Sequence, residues 1–530
     1  MFATNPRTRG SRIIGTIALC LAAMQATAQL TDVSQTPNLE HAGIQKSLEQ
    51  QIGTGVGDVM TPGSSSFIIQ RDPARSIRRG RQLFQRKFTA SQGLGPRTRD
   101  GAGDIASQPA VGAGISDSCA GCHGRPRGSA GFGGDVATRP DSRDAPHLFG
   151  LGLQEMLGDE ITADLRRIRA QTAAEAASRR QPVSHGLVSK GISYGVIAAH
   201  PDGSIDTTGV RGVDADLRVR PFFAHGGTAA IREFVVGAFN DEMGLQAYDP
   251  LLIKAAEGKR VVTPSGMVLD GNLDKFNTPL VASQWDDQDR DGVSNEIPTS
   301  LVDHMEFYLL NYFKPATYEQ TPVTRYGENL MRQVGCTGCH VQNLRIERDR
   351  RIADVETVHD ERNGIFNSLY ATASLQVVEV DDGHGYASIK RPLGKPFLVR
   401  NFYADMKRHD LGPNFYERNY DGTVTRQFMT EPLWGVGSTA PYGHDGRSIN
   451  LREVIARHGG EAQESRNRFM NLPEAAKLSL VIFLESLVLF PPDDTASNLD
   501  PGNRAAVDFP QHGHGSIRLT TIFNDPSEPE

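Results

Sequence analysis

The chain contains 530 residues, of which 38% are apolar, and it carries a formal net charge of −7. This length predicts about two to four domains, and the apolar content is sufficient for ordinary buried cores. The acidic balance argues against a protein that binds nucleic acid.

The first 28 residues are typical of a secretory signal peptide. They contain three arginines and no acidic residue, a short apolar stretch at residues 13–24, and a small-residue cleavage site at Ala26-Thr27-Ala28. The apolar stretch is shorter than the roughly 20 residues of a membrane span. We therefore expect cleavage after Ala28, export to the periplasm, and no membrane span.

The cysteines outside the signal peptide all occur in two copies of one pentapeptide, Cys-x-x-Cys-His. Disulfide bonds, which are common in exported proteins, and zinc knuckles are two interpretations of such pairs. The histidine after each pair favours a third, because this pentapeptide is the attachment signature of c-type haem. The sequence predicts two covalently bound haem c groups, with one histidine of each motif on the iron. The residues are Cys119, Cys122 and His123 for haem 1, and Cys336, Cys339 and His340 for haem 2.

Segments around the two motifs resemble each other in the same order, which indicates a tandem duplication of one helical unit. Each unit ends in a helix that is apolar nearly all round and is therefore expected to be buried. The paired segments are RGRQLFQRKF (79–88) and RYGENLMRQVGCTGCH (325–340), APHLFGLGL (145–153) and EPLWGVGST (431–439), PFFAHGGTAAIREFV (221–235) and PYGHDGRSINLREVI (441–455), and the closing helices LVDHMEFYLLNYF (301–313) and LSLVIFLESLVLF (478–490).

Three segments interrupt the first unit. Residues 90–118 are rich in glycine, residues 158–180 predict a charged, exposed helix, and residues 183–220 combine glycines with β-branched residues and predict a hairpin.

These patterns predict a mainly α fold with two tandem cytochrome c-like haem domains and loop-rich insertions. In chain order we expect the signal peptide at 1–28, an N-terminal extension at 29–74, the first haem domain at 75–320, the second at 321–492, and an irregular tail at 493–530.

An acidic loop lies just before the closing helix of the first unit. Asp287, Asp289, Asp291 and Asn295 occur at alternate positions, as in the first part of an EF-hand loop, and hard oxygen ligands suit Ca²⁺. The glutamate expected at the twelfth loop position is missing, and Glu296 could replace it. A solvated acidic turn without a metal is the alternative.

The two C-x-x-C-H motifs, together with PLWGVGSTAPYGHDGRS (432–448) and LREVIARHGGEA (451–462), resemble the bacterial di-haem cytochrome c peroxidase superfamily. The resemblance covers roughly residues 75–492 and is greatest to the di-haem thiol-oxidoreductase-like branch. It implies one haem that reacts with peroxide, usually in the N-terminal unit, and one six-coordinate haem that transfers electrons. It also implies a calcium ion near the domain boundary.

For haem 2, the resemblance places the sixth ligand about one turn after the L-R-E triplet, where this chain has His458. The alternative is that His458 only caps the end of a helix. His409 is a second candidate ligand. His444 matches a position near the haem, where a structural role or a contact with a haem propionate is expected.

For haem 1, the position equivalent to His458 is Ala238, which cannot bind iron. The following segment FNDEMG (239–244) resembles the family segment N-P-x-E-M, and Glu242 is the candidate general acid and base for peroxide cleavage. An exposed carboxylate at a helix end is the alternative. Met243 and His225 are further candidates for a contact with haem 1.

Family members often place a tryptophan between the haems in the segment F-W-D-G-R. Here the corresponding stretch, FFAHGG (222–227), has none. Trp434 is expected to pack against a haem edge rather than to relay electrons.

The sequence therefore predicts an exported di-haem oxidoreductase of the peroxidase type. Its expected partners are a small periplasmic electron donor, either a cytochrome or a copper protein, and hydrogen peroxide or another small oxidant. Two alternatives remain: a pure electron-transfer cytochrome, and a di-haem oxygenase or protein-modifying enzyme on the same scaffold.

Overall fold

The computed structural model describes residues 55–95, 116–123, 134–135, 143–311, 316–317, 320–359, 369–419, 421–488 and 517–518. The predicted signal peptide, most of the N-terminal extension, most of the 90–118 insertion and nearly all of the tail lie outside these residues. Within them, no helix combines the length and the apolar character needed to cross a membrane.

The described residues form eleven α-helices. They are α1 (Ser65–Arg71), α2 (Pro73–Gln85), α3 (Cys119–Cys122), α4 (Leu151–Arg179), α5 (Ile231–Met243), α6 (Pro250–Ala256), α7 (Thr299–Leu310), α8 (Pro322–Gln333), α9 (Leu451–Arg457), α10 (Gln463–Met470) and α11 (Glu474–Glu485).

Short strands are more numerous than a mainly α prediction implies, although the described residues are rich in helix. They pair in sheets of two or three strands, and every pairing is antiparallel except that of β11 with β20. The strands are β1 (Gly134–Asp135), β2 (Arg143–Asp144), β3 (Val183–Ser189), β4 (Ile192–Ala199), β5 (Ile205–Asp206), β6 (Arg260–Val262), β7 (Val268–Asp270), β8 (Ala316–Thr317), β9 (Leu344–Ile346), β10 (Ala353–His359), β11 (Leu369–Leu375), β12 (Val377–Val380), β13 (Ile389–Pro392), β14 (Phe397–Val399), β15 (Arg408–Asp410), β16 (Glu417–Arg418), β17 (Val424–Thr425), β18 (Gln427–Met429), β19 (Leu487–Val488) and β20 (Ile517–Arg518).

The predicted helices and the predicted hairpin are present, with shifted boundaries. The two closing helices are α7 and α11, and both are buried on most sides. The charged helix is longer than expected, because α4 begins at Leu151 and its first turns are buried in the core. The hairpin is formed by β3 and β4.

Two helix crossings leave no space for a side chain at a glycine. Where α2 crosses α7, a Cβ on Gly80 would lie 2.4 Å from the carbonyl oxygen of His304. Where α8 crosses α11, a Cβ on Gly327 would lie 2.0 Å from the carbonyl oxygen of Ser479. The two glycines occupy equivalent places in the paired segments, so the same crossing is used in both halves of the chain.

The segments that follow the motifs repeat a second close approach. A Cβ on Gly152 would lie 2.0 Å from the carbonyl oxygen of Leu310, at the end of α7, and one on Gly437 would lie 2.3 Å from that of Glu485, at the end of α11. The loops before α5 and α9 are also alike, since each is closed by one antiparallel bridge. The same close approaches and the same bridged loop therefore occur in both halves of the chain. The assignment of each half as a haem domain stays a prediction.

A buried ionic cluster joins α5, α6 and α7. Arg232 of α5 is fully buried and contacts Asp249 at 2.7 Å, Asp303 at 2.8 Å and Glu306 at 2.8 Å. Burial alone would lower the pKa of Arg232, but the three carboxylates raise it far above its usual range. Its counterpart in the second L-R-E triplet, Arg452, forms an exposed ion pair with Glu474.

This difference predicts unequal costs for two equivalent substitutions. Arg232→Leu should lower the free energy of unfolding by about 3–5 kcal/mol, because it leaves three buried carboxylates without their cation. Arg452→Leu should lower it by about 1 kcal/mol or less, because that pair is exposed. Urea unfolding followed by circular dichroism measures both, and equal losses would contradict the structural role of the buried cluster.

Candidate functional site

Both pentapeptides open onto a single cavity of about 840 Å³. Apolar side chains from α2, α5, α7, α8 and α11 contribute to its wall, and segments from both repeats reach it. The cavity therefore brings together two motifs that are more than 200 residues apart in the chain.

The first motif is held by local and distant hydrogen bonds. Ser118 caps α3 by accepting a hydrogen bond from the amide of Gly121 at 3.1 Å. His123 follows α3, and its Nδ1 donates to the carbonyl oxygen of Pro146 at 2.7 Å, because a carbonyl can only accept. Nε2 of His123 is therefore the unprotonated nitrogen. This arrangement is typical of a histidine that binds a metal.

The second motif has the same arrangement. A 3₁₀ turn at Cys336–Gly338 follows Gly335, whose φ of +92° requires a glycine. Nδ1 of His340 donates to the carbonyl oxygen of Tyr403 at 2.8 Å. Burial lowers the pKa of His340 to about 4, so the ring is neutral, as an iron ligand must be.

Neither alternative interpretation of the cysteines is seen in the described part of the chain. All four cysteines of the two motifs are free thiols, and no group of four sulfur atoms gathers there to hold zinc. Burial raises the pKa of Cys119 to about 12 and that of Cys336 to about 11, so both are protonated at neutral pH.

His458 lines the cavity at the end of α9. Its Nδ1 donates to the carbonyl oxygen of Val454 at 2.6 Å, so its Nε2 is also unprotonated. Burial lowers the pKa of His458, and His340 lines the same cavity. His458 is the C-cap residue of α9 as well, so the capping interpretation and the ligand interpretation describe the same position.

His409, the second candidate ligand, uses both ring nitrogens in other contacts. Nε2 lies 2.8 Å from a carboxylate oxygen of Asp405, and Nδ1 lies 2.8 Å from one of Glu461. Burial alone would lower the pKa of His409, but its hydrogen bonds to Asp405 and Cys339 raise it to about 11. The ring is therefore a cation, and it offers no free nitrogen to iron.

His444 and His225 belong to a buried polar cluster on the cavity wall. Arg143 binds Glu417 through Nε at 2.6 Å and through Nη2 at 2.9 Å, and it lies 3.3 Å from Nδ1 of His225. His444 lies 3.6 Å from Glu417 and stacks on the ring of Phe428 with centroids 3.9 Å apart. Both histidines thus contact side chains of the protein itself.

Glu431 is a further titratable group on the cavity wall that the sequence did not reveal. Its side chain faces the cavity, where protein surrounds it on the other sides. This burial raises the pKa of Glu431 to about 7, although the positive charge of Arg143 lowers it. Arg143 and Glu417 lie in the two-residue strands β2 and β16, and Glu431 is the first residue of the paired segment EPLWGVGST. No signal in a single sequence identifies them.

Glu242, the candidate acid and base, lies on the wall of the cavity. Glu242 is half-buried in the last turn of α5, which ends at Gly244 with a φ of +66°. Ala238 and Met243 line the same cavity, and Met243 is buried. Glu242 is therefore not the fully exposed helix-end carboxylate of the alternative.

Trp434 packs between the two halves of the chain. Its ring lies edge-on to Phe402 with centroids 4.9 Å apart, and its backbone oxygen accepts a hydrogen bond from Nε2 of His147 at 3.1 Å. His147 directly follows Pro146, whose carbonyl holds His123. The indole N–H is buried on the cavity wall and has no hydrogen-bond partner within the protein.

The acidic loop brings its three aspartates together. Carboxylate oxygens of Asp287, Asp289 and Asp291 lie within 4.8 Å of one another. Burial and the two neighbouring carboxylates together raise the pKa of Asp289 to about 6. Asn295 has a φ of +53° in the same loop.

Glu296 is buried beside these aspartates. One of its oxygens accepts a hydrogen bond from the amide of Gln246 at 2.7 Å, and the other has no protein partner. Burial, together with the charges of the three aspartates, raises the pKa of Glu296 to about 8. The hydrogen bond from Gln246 acts in the opposite direction. Glu296, the possible replacement for the missing loop glutamate, is thus close to the three aspartates.

These observations fit haem at both motifs. Each motif combines two thiols with one imidazole whose Nε2 is unprotonated, beside a largely apolar cavity with few polar groups. Haem requires the same combination of covalent attachment, axial nitrogen and apolar enclosure.

Comparisons with known proteins give one family match, which lies after the second motif. A family model described as "Di-haem oxidoreductase, putative peroxidase" matches residues 349–487. No curated protein sequence matches the chain. A hydrazine synthase structure from Kuenenia stuttgartiensis aligns at 14% identity with a TM-score of 0.21, over 36% of this chain and 55% of that one. The present chain thus spans about half the length of that protein, and a TM-score this low establishes no common fold.

The family match lies in the second half of the chain, which contains the segments PLWGVGSTAPYGHDGRS and LREVIARHGGEA that carried the resemblance. It supports the placement of the chain in the di-haem peroxidase-like superfamily, as a di-haem oxidoreductase.

Proposed function

We propose that the chain is an exported di-haem c-type cytochrome of the peroxidase type, with one electron-transfer haem and one reactive haem. The observation that carries this proposal is the shared cavity, onto which two C-x-x-C-H motifs open with both imidazoles held through Nδ1. Two irons attached to one cavity wall would be close enough to exchange electrons.

The chain's own residues would hold the two groups differently. Cys119 and Cys122 would attach haem 1, and Cys336 and Cys339 would attach haem 2. Bound haem supplies an iron that changes oxidation state and, where a coordination position is open, reacts with small oxidants. The protein positions that iron, excludes water from it and moves protons near it.

The two sides of the cavity offer different sixth ligands. His458 presents an unprotonated Nε2 near His340, so haem 2 would be six-coordinate and suited to electron transfer. Ala238 occupies the equivalent place beside haem 1 and cannot bind iron. Haem 1 is therefore the proposed reactive group.

Glu242 is the proposed proton carrier at haem 1. Its carboxylate lies on the cavity wall one turn after Ala238, where it can accept a proton from one oxygen of hydrogen peroxide and return it to the other. Its half-buried setting keeps it accessible to the cavity while limiting the access of outer solvent.

The acidic loop is the proposed calcium site. Asp287, Asp289, Asp291 and Asn295 supply the ligands that the sequence indicated, and Glu296 adds a buried carboxylate. A divalent cation would offset the repulsion among four carboxyl groups just before α7, the helix that closes the first unit.

The proposal also includes export to the periplasm. The partners would be a small electron-donor protein and hydrogen peroxide or another small oxidant. The specific relationship to the di-haem thiol-oxidoreductase-like branch is part of it too. A pure electron-transfer cytochrome is the second candidate, because Met243 is buried on the same cavity wall and its sulfur could occupy the open position at haem 1.

The two candidates predict different spectra. The purified oxidised protein should show one high-spin and one low-spin ferric signal in low-temperature electron paramagnetic resonance, because in the proposal His458 binds haem 2 and the sixth position of haem 1 stays open. Denaturing electrophoresis with haem staining should show that both groups are covalently bound. Two low-spin signals that persist after partial reduction would contradict a reactive haem 1 and favour electron transfer alone.

Substitution of the proposed proton carrier should affect turnover and leave haem content unchanged. Glu242→Gln should lower the rate of peroxide reduction by about 100-fold or more, because the amide cannot accept the proton. Asp241→Asn is the matched control, since Asp241 is the adjacent, exposed carboxylate on the same helix, and its rate should stay within about twofold. Stopped-flow kinetics with a reduced donor protein measures both rates. Equal rates for the two variants would remove Glu242 from the mechanism.

Removal of divalent cations should destabilise the first unit. After treatment with a chelator, added Ca²⁺ should bind with measurable heat and raise the melting temperature, because it neutralises the clustered carboxylates. Asp289→Asn should abolish most of this shift. Asp202→Asn, in an exposed turn outside the loop, should leave it intact. Calorimetry that detects no calcium-dependent heat would exclude the site.

A further inference from the structure

The turn that follows His458 is fastened to a distant strand. The amide of Gly459 donates to the carbonyl oxygen of Leu411 at 2.9 Å, and the amide of Asp410 in β15 donates to Glu461 at 3.0 Å. A Cβ on Gly460 would lie 2.1 Å from the carbonyl oxygen of Asp410. The turn at 459–461 is thus in direct contact with the end of β15.

His409 lies at the centre of this junction. It donates from Nε2 to Asp405 and from Nδ1 to Glu461, each at 2.8 Å, and it is buried. Carboxylates only accept hydrogen bonds, so both ring nitrogens must carry a proton. A neutral imidazole carries only one N–H, so it could donate to only one of the two carboxylates.

Asp405 gives the junction a rigid base. It is 1% exposed, and its second oxygen accepts hydrogen bonds from the Thr430 hydroxyl at 2.8 Å and from the amide of Lys407 at 3.1 Å. The chain of contacts therefore runs from a fixed buried carboxylate, through one ring, to the carboxylate of Glu461 in the turn. Charge-assisted hydrogen bonds of this kind are stronger than neutral ones.

The same ring also reaches the other side of the haem 2 site. A ring nitrogen of His409 lies within 4.8 Å of the sulfur of Cys339, which directly precedes His340. The ring is therefore close to the attachment motif on one side and is linked, through Glu461, to the segment that carries His458 on the other. Within the described residues, this is the one ionised ring that connects the two proposed ligands of haem 2.

We propose that Asp405, His409 and Glu461 form a positioning cluster that holds the turn after His458 and so directs its Nε2 toward haem 2. This inference rests on the proposed function, in which His458 is the sixth ligand. His409 acts only through Glu461 and the turn, and it contributes no ligand of its own. Without the cluster, the turn keeps its backbone hydrogen bond to Leu411 but loses its side-chain tie through His409, and His458 dissociates from iron more readily.

The test compares two histidine variants of the haem-loaded protein. His409→Gln keeps the approximate size of the side chain but cannot donate from two directions as a cation. His185→Gln is the matched control, because His185 contacts Glu175 at 2.6 Å on an exposed hairpin away from the cavity. The readouts are the low-spin resonance of haem 2, its midpoint potential, and its affinity for added imidazole.

In His409→Gln, we expect the low-spin signal of haem 2 to fall by about half or more and the affinity for imidazole to rise about 10-fold or more. His185→Gln should match the unmodified protein in all three measurements. A His409→Gln protein whose signal, potential and imidazole affinity are unchanged would overturn the proposal.

Two further variants separate the possible failures. Glu461→Gln removes the charge at the far end of the cluster and should reproduce the spectral change even if His409→Gln does not fold, and an unchanged spectrum there would also overturn the proposal. His458→Ala should convert haem 2 to a high-spin form. If haem 2 stays low-spin in His458→Ala, the ligand assignment in the proposed function is wrong, whatever the cluster variants show.

Discussion

The two helix crossings at Gly80 and Gly327 determine where everything else in the site can lie. Each brings a first helix into backbone contact with a closing helix, which any larger residue would prevent. In the second half, α8 ends at Gln333, only three residues before Cys336, so the position of α8 fixes that of the motif. The close approaches at Gly152 and Gly437 then bring the following segments over the cavity.

Within this frame, the orientation of each imidazole depends on a residue far away in sequence. The carbonyl groups of Pro146 and Tyr403 each accept a hydrogen bond from one motif histidine. Neither carbonyl belongs to a helix or strand, and its direction is set by the packing of the loop around it. The pentapeptide supplies the chemistry of attachment, while the surrounding loops decide which nitrogen is available and where it points.

The sequence was informative where the signal is periodic or repeated. The spacing of apolar residues predicted α7 and α11, and the paired segments anticipated the repeated crossings and loops. The strands of two to four residues were not predicted, because so few residues show too little alternation of apolar and polar side chains to be distinguished from loops. The polar clusters escaped for another reason: His409 meets Asp405 and Glu461, and Arg143 meets Glu417, only after folding. In the linear chain Glu461 is far from His409 and Glu417 is far from Arg143, and nothing in their spacing indicates that they meet.

The repeat also shows how one sequence pattern acquires two electrostatic environments. Arg232 and Arg452 occupy the same place in their triplets, yet the first is buried among three carboxylates and the second is exposed with one. Around the cavity, it is the second half of the chain that has the buried charged ring. The second motif has a buried imidazolium and a candidate axial histidine beside it, whereas the first has an alanine and a half-buried glutamate. In the proposed function, the two similar motifs would thus offer their irons unequal partners, which is what a division of labour between an electron-transfer haem and a reactive haem requires.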